Sequence, residues 1–197
     1  MANQEFLLTG TGGQGLILAA IMLAEAGINA GQNVVQSQSY GPEARGGASR
    51  AEVIIGNEAI HYPKVEKPTL VLTLSPEAYK KYGLNLTEDA ILVVDSSQVT
   101  EVKPRSKHLY SLPITKTART QLGSEQNANV VALGVVASVS GQIPMEDVLQ
   151  AVRQRAPKGT TVQNVKALEL GWQLGLEAES AQEGRQAQNE GDEQCRI

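Results

Sequence analysis

Residues 5–37 read EFLLTGTGGQGLILAAIMLAEAGINAGQNVVQS, and the order of their parts decides the fold class. Glu5–Thr9 is a short apolar run that ends in glycine, the pattern of a buried strand. Gly10-Thr11-Gly12-Gly13-Gln14-Gly15 follows, with glycine at every fixed position of the Gly-x-Gly-x-x-Gly pattern. The next segment is rich in Ala and Leu, has almost no polar face, and stops near Gly31, as a largely buried helix does. Asn33–Ser37 is a second short strand. A strand, a glycine turn, a helix and a strand in that order predict an α/β, Rossmann-like fold. Its sheet is expected to be mostly parallel, with helices on both faces.

Further along, Ser39–Gly47 (SYGPEARGG) has no apolar periodicity and reads as a loop. Ala51–Ile55 reads as a strand, Gly56-Asn57 as a turn, and the stretch through Ile60 and Tyr62 as a return strand, so a β-hairpin insertion is expected here. Leu70–Leu74 is a buried strand. Ser75 and Pro76 then suit the cap and first position of a helix running to about Tyr82. Ala90–Asp95 is another buried strand, and Leu109–Leu112 a weaker one. Asp95 or Ser96 suits a helix cap.

The last third turns helical. Thr115–Leu122 fits a short helix. Asn129–Ser140 is apolar nearly all round and fits a core helix, although an exposed version of it would suit subunit packing. Met145, Val148, Leu149 and Val152 share one face after Pro144. Val162, Val165, Leu168, Trp172 and Gly175 make the stripe of a final helix. One domain is expected over residues 1–176. Residues 177–197 are polar and rich in Gln, Glu and Gly, the composition of a disordered tail.

Composition narrows the function. The 197 residues are 41% hydrophobic and 19% charged, with a formal net charge of −4. Nothing in that balance suggests nucleic acid or a membrane surface as partner. The single cysteine, Cys195, can form no internal disulfide and hold no iron–sulfur cluster or structural zinc. His61 and His108 lie far apart with no carboxylate motif around them, so no metal site is expected. The opening MANQEFLLTG carries no signal-peptide pattern and no apolar run is long enough to span a bilayer; a soluble cytoplasmic protein is expected.

The glycine turn has a specific physics. Glycines allow a tight turn and close backbone approach, and the helix that follows aims unpaired N–H groups and a positive dipole end at an anion. Gln14 adds a polar group. A dinucleotide site also wants an acid at the end of the second strand to hold ribose hydroxyls, but Gln36, Ser37 and Gln38 stand there. No Gly-Lys-Ser/Thr follows the turn and no Gly-x-Ser-x-Gly elbow occurs, so neither a nucleoside-triphosphate loop nor a hydrolase nucleophile is present. A phosphate cradle and a ligand-free packing turn remain as the two readings of the residues.

GTGGQG at Gly10–Gly15 with its Ala-rich helix resembles the start of the gamma subunit of 2-oxoacid:ferredoxin (acceptor) oxidoreductases. YGPEARGG at Tyr40–Gly47 is similar to that family's second signature. The likeness continues through residues 51–82, ILVVDSSQV, NVVALG and NVKALELG at Asn164–Gly171, and covers about residues 5–176. The Tyr-Gly-Pro-Glu form resembles the 2-oxoglutarate, pyruvate and branched-chain (ketoisovalerate) enzymes rather than the indolepyruvate ones.

The resemblance implies the chemistry. A 2-oxoacid is decarboxylated on thiamine diphosphate, electrons pass through iron–sulfur clusters to ferredoxin, and the acyl group ends on coenzyme A. This chain has neither a thiamine motif nor cluster cysteines, so thiamine diphosphate, magnesium and the clusters are expected on partners. Those partners would be thiamine-binding alpha and beta subunits, with a ferredoxin-like delta subunit or an external ferredoxin. The chain alone would carry no catalytic residue. Its candidate ligand is coenzyme A, whose phosphates Gly10, Gly12, Gly13, Gln14 and Gly15 would meet, together with Arg45, Gly46 and Gly47. Tyr40, Glu43 and Arg45 are candidate interface residues instead, since arginine and glycine serve both roles. Two other readings stay open: a free-standing Rossmann-like nucleotide-binding protein, and an assembly subunit without a ligand.

Overall fold

The structure, a computed structural model, describes the backbone of residues 3–38 and 48–194, and side-chain environments up to residue 182. Six strands form one mixed sheet: β1 (Gln4–Thr11), β2 (Asn33–Gln38), β3 (Ala48–Gly56), β4 (Leu70–Thr73), β5 (Ile91–Asp95) and β6 (His108–Leu112). Their spatial order is β2-β3-β1-β4-β5-β6. The half β1-β4-β5-β6 is parallel. Its inner strands are buried on both faces, which is why LVLT and ILVVD read as unbroken apolar runs rather than alternating ones.

The other half is antiparallel. Helix α1 (Leu16–Asn29) carries the chain from β1 to β2, so those two strands point the same way. β3 then fills the gap between them, antiparallel to both, with Phe6 opposite Val53 and Val35 opposite Ile54. This placement corrects the expected hairpin. Both edges of β3 are taken by β1 and β2, so no edge is left for a return strand, and Asn57–Tyr62 forms none. Residues 57–69 instead make a strap tied down by two acids. Glu5 Oε2 accepts from the N–H groups of Glu66 (2.8 Å) and Lys67 (2.9 Å), and Glu52 Oε2 accepts from Val65 N–H (3.2 Å).

Helices cover the two faces unequally. One face packs α1, α3 (Ile114–Leu122), α4 (Ala128–Ser140), α5 (Met145–Arg155) and α6 (Thr161–Gln194) over Phe6, Leu8, Val53, Leu72 and Val93. The other carries α2 (Pro76–Ala78), its π-helical continuation Tyr79–Gly83, and loop residues over Leu7, Val71, Leu92 and Val94. Ser75 Oγ accepts from Ala78 N–H at 3.2 Å, as the Ser-Pro pair predicts.

α4 is buried on every side from Asn129 to Val139, between the sheet and α6, and is therefore no surface for subunit packing. Its contact with α6 is close because both helices put glycine there. A Cβ on Gly171 would fall on the Val131 carbonyl oxygen, and one on Gly134 would meet Trp172 N at 2.7 Å. The buried line of α6 is Asn164, Ala167, Leu168, Gly171 and Gly175; of the expected stripe Leu168 and Gly175 are buried, whereas Val162 is 85% exposed. The helix also runs past residue 176, where a tail was expected to begin. Ala178 packs against the core, and Gln182 Nε2 donates to the Leu109 carbonyl.

Candidate functional site

The glycine turn joins β1 to α1 at the carboxyl end of the parallel strands. Gln14 closes it from inside. Its Oε1 accepts from Thr11 N–H at 2.7 Å and its Nε2 donates to the Leu74 carbonyl at 3.2 Å, which locks the turn to the end of β4. Gln14 therefore shapes the turn with its side chain.

The glycines have different reasons. Gly10 leaves room for Gln14, since a Cβ there would strike Oε1. Gly15 caps α1 in the left-handed region (φ 70°), and a Cβ on it would lie 2.5 Å from Asn129 Nδ2. That Asn129 nitrogen donates to the Gly15 carbonyl at 3.3 Å, tying the first turn of α4 to the loop. Gly13 is also left-handed (φ 88°), yet nothing lies within 4 Å of where its Cβ would be. Packing explains Gly10 and Gly15. At Gly13 the backbone turns and the space beyond is open. Gly12 sits exposed in the same turn.

That space is a cleft of about 500 Å³ lined by Gly13, Gln14, Gly15, Leu74, Gln98 and Thr115, and closed by Glu125, Gln126 and Ala128. It lies beyond the ends of β1 and β4, where the chain's course across the sheet reverses: β1 leads through α1 to β2 on one side, while β4 flanks β1 on the other. Three helices begin at its wall. Gly15 caps α1, Thr115 is in the first turn of α3, and Ala128 opens α4. The positive dipole ends of these helices lie at the wall, although the first N–H groups of α3 are already taken by Asp95 and Ser97 and that of Ala128 by the Glu125 carbonyl. Glu125 is the acid at the rim, and it is engaged by Arg119.

Asp95 builds the far wall from underneath. It is fully buried; Oδ1 accepts from Ser97 N–H (3.0 Å), and Oδ2 accepts from Thr115 N–H (3.1 Å) and from the Thr115 hydroxyl. Ser97 Oγ in turn accepts from Lys116 N–H at 3.1 Å. One carboxylate so fixes both the turn that carries Gln98 and the start of α3, a capping role as the sequence suggested. Gln98, Thr115 and Gln126 were not foreseen. They come from three separate segments, and no local pattern unites them.

Tyr40, Glu43, Arg45, Gly46 and Gly47 lie outside the described residues. The segment's anchors are described. Gln38 pairs with Ala51, Ala48 pairs with Thr11, and Ser49 Oγ donates to the Gly10 carbonyl at 3.3 Å. The chain thus re-enters the sheet beside the start of the glycine turn. A cation that sequence reading passed over stands just inside this edge: Arg50 Nε bonds Glu52 Oε1 at 3.2 Å. Glu52 also accepts from Ser37 Oγ at 3.0 Å, so it joins β2, β3 and the strap. Among the described residues no group of three His, Cys, Asp or Glu side chains gathers in metal-ligating geometry, and no helix is long and apolar enough to cross a membrane.

A mixed α/β sheet with a glycine turn and a cleft at its switch point defines a Rossmann-like domain. The chain belongs to the pyruvate ferredoxin/flavodoxin oxidoreductase family, whose model matches residues 5–174. It is 38% identical over 184 residues to the 2-oxoglutarate synthase subunit KorC of Methanothermobacter marburgensis, covering 90% of this chain and 99% of that one. A keto/oxoacid ferredoxin oxidoreductase gamma subunit from Geobacter sulfurreducens superposes with a TM-score of 0.80 at 41% identity, over 89% of this chain and 99% of that one. The 2-oxoglutarate:ferredoxin oxidoreductase of Magnetococcus marinus shares the fold, with a TM-score of 0.78 at 19% identity over 89% of this chain and 31% of that one. These findings bear out the expected place of the chain as a gamma-type subunit of a 2-oxoacid:ferredoxin oxidoreductase.

Proposed function

We propose that this subunit holds the phosphates of coenzyme A in the glycine cleft, within a complex that converts 2-oxoglutarate to succinyl-CoA, CO2 and reduced ferredoxin. The observation that carries the reading is the open face of Gly13 in a cleft where three helix N-termini meet. Diphosphate is the part of coenzyme A that such a wall favours, because backbone N–H groups and aligned dipoles recognise anions without any cofactor acid. The missing acid at Gln36, Ser37 and Gln38 argues against a dinucleotide and leaves coenzyme A unaffected. Support for the oxoacid comes from relatives named as 2-oxoglutarate synthase subunits, and for the ligand from the Magnetococcus enzyme, which is described with 2-oxoglutarate, coenzyme A and succinyl-CoA bound.

In this reading Gly12, Gly13 and Gly15 present backbone, Gln14 keeps the turn rigid, and Arg45, Gly46 and Gly47 are the further phosphate contacts that the sequence suggests. Thiamine chemistry and electron transfer belong to alpha, beta and ferredoxin-like partners. The test is a pair of variants at one position in the reconstituted complex. Gly13→Asp adds a carboxylate to the anion wall; Gly13→Asn adds the same bulk without charge, and both residues tolerate the left-handed backbone better than others. Gly13→Asp is expected to raise KM for coenzyme A by about tenfold with kcat and KM for the oxoacid retained, the scale of one charged contact. Equal, small effects of both variants would sink the reading.

A second role has its own observation. α1 exposes Ile17 and, at 62%, Ile28 on one side of the helix, with Ile21 half-buried between them. An apolar stripe of this kind suits contact with a partner subunit.

A further inference from the structure

β6 closes the sheet on one side, and among the described residues β5 is its only strand neighbour. The Leu112 carbonyl accepts from Ser96 N–H at 2.9 Å on the β5 side. Backbone groups alternate along a strand, so those of Tyr110 and His108 turn toward β5 and those of Leu109 and Ser111 turn outward. The strand reads HLYSL, with no Lys, Asp, Glu or Pro. Charges and proline are the usual means of keeping an exposed edge from pairing with another chain, and β6 has neither. The protection comes from α6, which passes alongside β6 and whose Gln182 Nε2 donates to the outward Leu109 carbonyl.

That reach is built into the helix. The face of α6 that packs on α4 continues as Gly171, Gly175, Ala178 and Gln182, at the three- and four-residue spacing of one helix face. A Cβ on Gly175 would strike Ser138 Oγ, so glycine there keeps α6 close to α4 as it approaches the edge, and Ala178 packs against the core one turn further on. The family model stops at residue 174, whereas α6 runs on to Gln194. The turns that reach β6 therefore lie beyond the family's common domain. Residues 183–194 hold four acidic residues, one arginine and no large apolar side chain.

We propose that the outer edge of β6 is a self-pairing surface for a second copy of this chain, and that the extension of α6 is the guard that holds it closed. A second β6 running antiparallel about a twofold axis sets Leu109 of each copy opposite Ser111 of the other, so that the same four outward backbone groups satisfy one another. Gln182 stands where that strand would lie. The acidic continuation adds to the guard, because two copies meeting at β6 would bring two such segments together and like charges oppose it. The inference is independent of the ligand assigned to the glycine cleft.

Sedimentation velocity of the full-length chain tests this. Ser180 is exposed and lies past the core contact of Ala178. Ser180→Pro removes a helix N–H and clashes with the Leu176 carbonyl, which unseats Gln182 while the packed part of α6 remains. Self-association is expected to tighten by about tenfold over the parent. Adding Ser111→Pro, which deletes an outward N–H and leaves the bonds to β5, should return it to the parent level. No tightening with Ser180→Pro overturns the proposal. Tightening that survives Ser111→Pro overturns it too, because the contact then lies elsewhere. If Ser180→Pro does not fold, Gln182→Glu decides in its place: it removes the donor and sets a carboxylate against the Leu109 carbonyl, and should tighten association by about threefold, again reversed by Ser111→Pro.

Discussion

Two regions of this chain depend on glycine for opposite reasons. Where α4 meets α6, Gly134 and Gly171 remove side chains so that helix backbones can touch. At the end of β1, Gly13 adopts a backbone that side chains disfavour and leaves the space beside it empty. The first pair serves packing, in which every gap is filled. The second serves access. Gly15 stands between them: left-handed like Gly13, yet hemmed in by Asn129 like the core glycines. The contrast teaches that a glycine motif is a set of separate demands, and that the position with unfilled space is the one to examine for a ligand.

Substitution separates the three cases. Gly171→Val should act most strongly, because its Cβ meets the Val131 carbonyl and neither helix backbone can yield cheaply. A loss of about 3 kcal/mol or more, at the upper end for overpacking, should appear as a Tm drop of roughly 10 °C or as insoluble protein. A melt within a degree or two of the parent would show that α4 and α6 can part. Gly15→Ala comes next: left-handed strain of about 1–2 kcal/mol is joined by pressure on Asn129. Gly13→Asn should cost the least, a few tenths of a kcal/mol, since asparagine accepts that backbone and meets nothing. Equal costs for Gly15→Ala and Gly13→Asn in thermal melts would erase the distinction between the two.

Much of this was legible in the residues. Apolar runs marked β1, β4 and β5, the Ser75-Pro76 pair marked a helix start, the Gly-x-Gly-x-x-Gly spacing marked the turn, and that turn with YGPEARGG and NVVALG in order marked the family. What local pattern does not encode is partner choice. β3 looks like a hairpin strand from Gly56-Asn57 alone, but its two neighbours are upstream strands, paired across separations that run from Gln38–Ala51 to Gln4–Ile55. The cleft shows the same limit. Gln14 to Leu74, Asn129 to Gly15 and Asp95 to Thr115 are long-range bonds between side chains and distant backbone. The continuation of α6 had a local signal that composition hid: Glu, Gln and Ala beyond residue 176 are good helix formers even where they are too polar to bury.

Amide hydrogen exchange across the assembled complex, with and without coenzyme A, tests the central claim most directly. If the cleft holds the diphosphate, coenzyme A slows exchange at residues 12–16 and around Gln98 and Thr115, while α4 and α6 stay unchanged. If protection appears only on the partner subunits and these amides exchange as before, the glycine turn is a packing device and coenzyme A binds elsewhere.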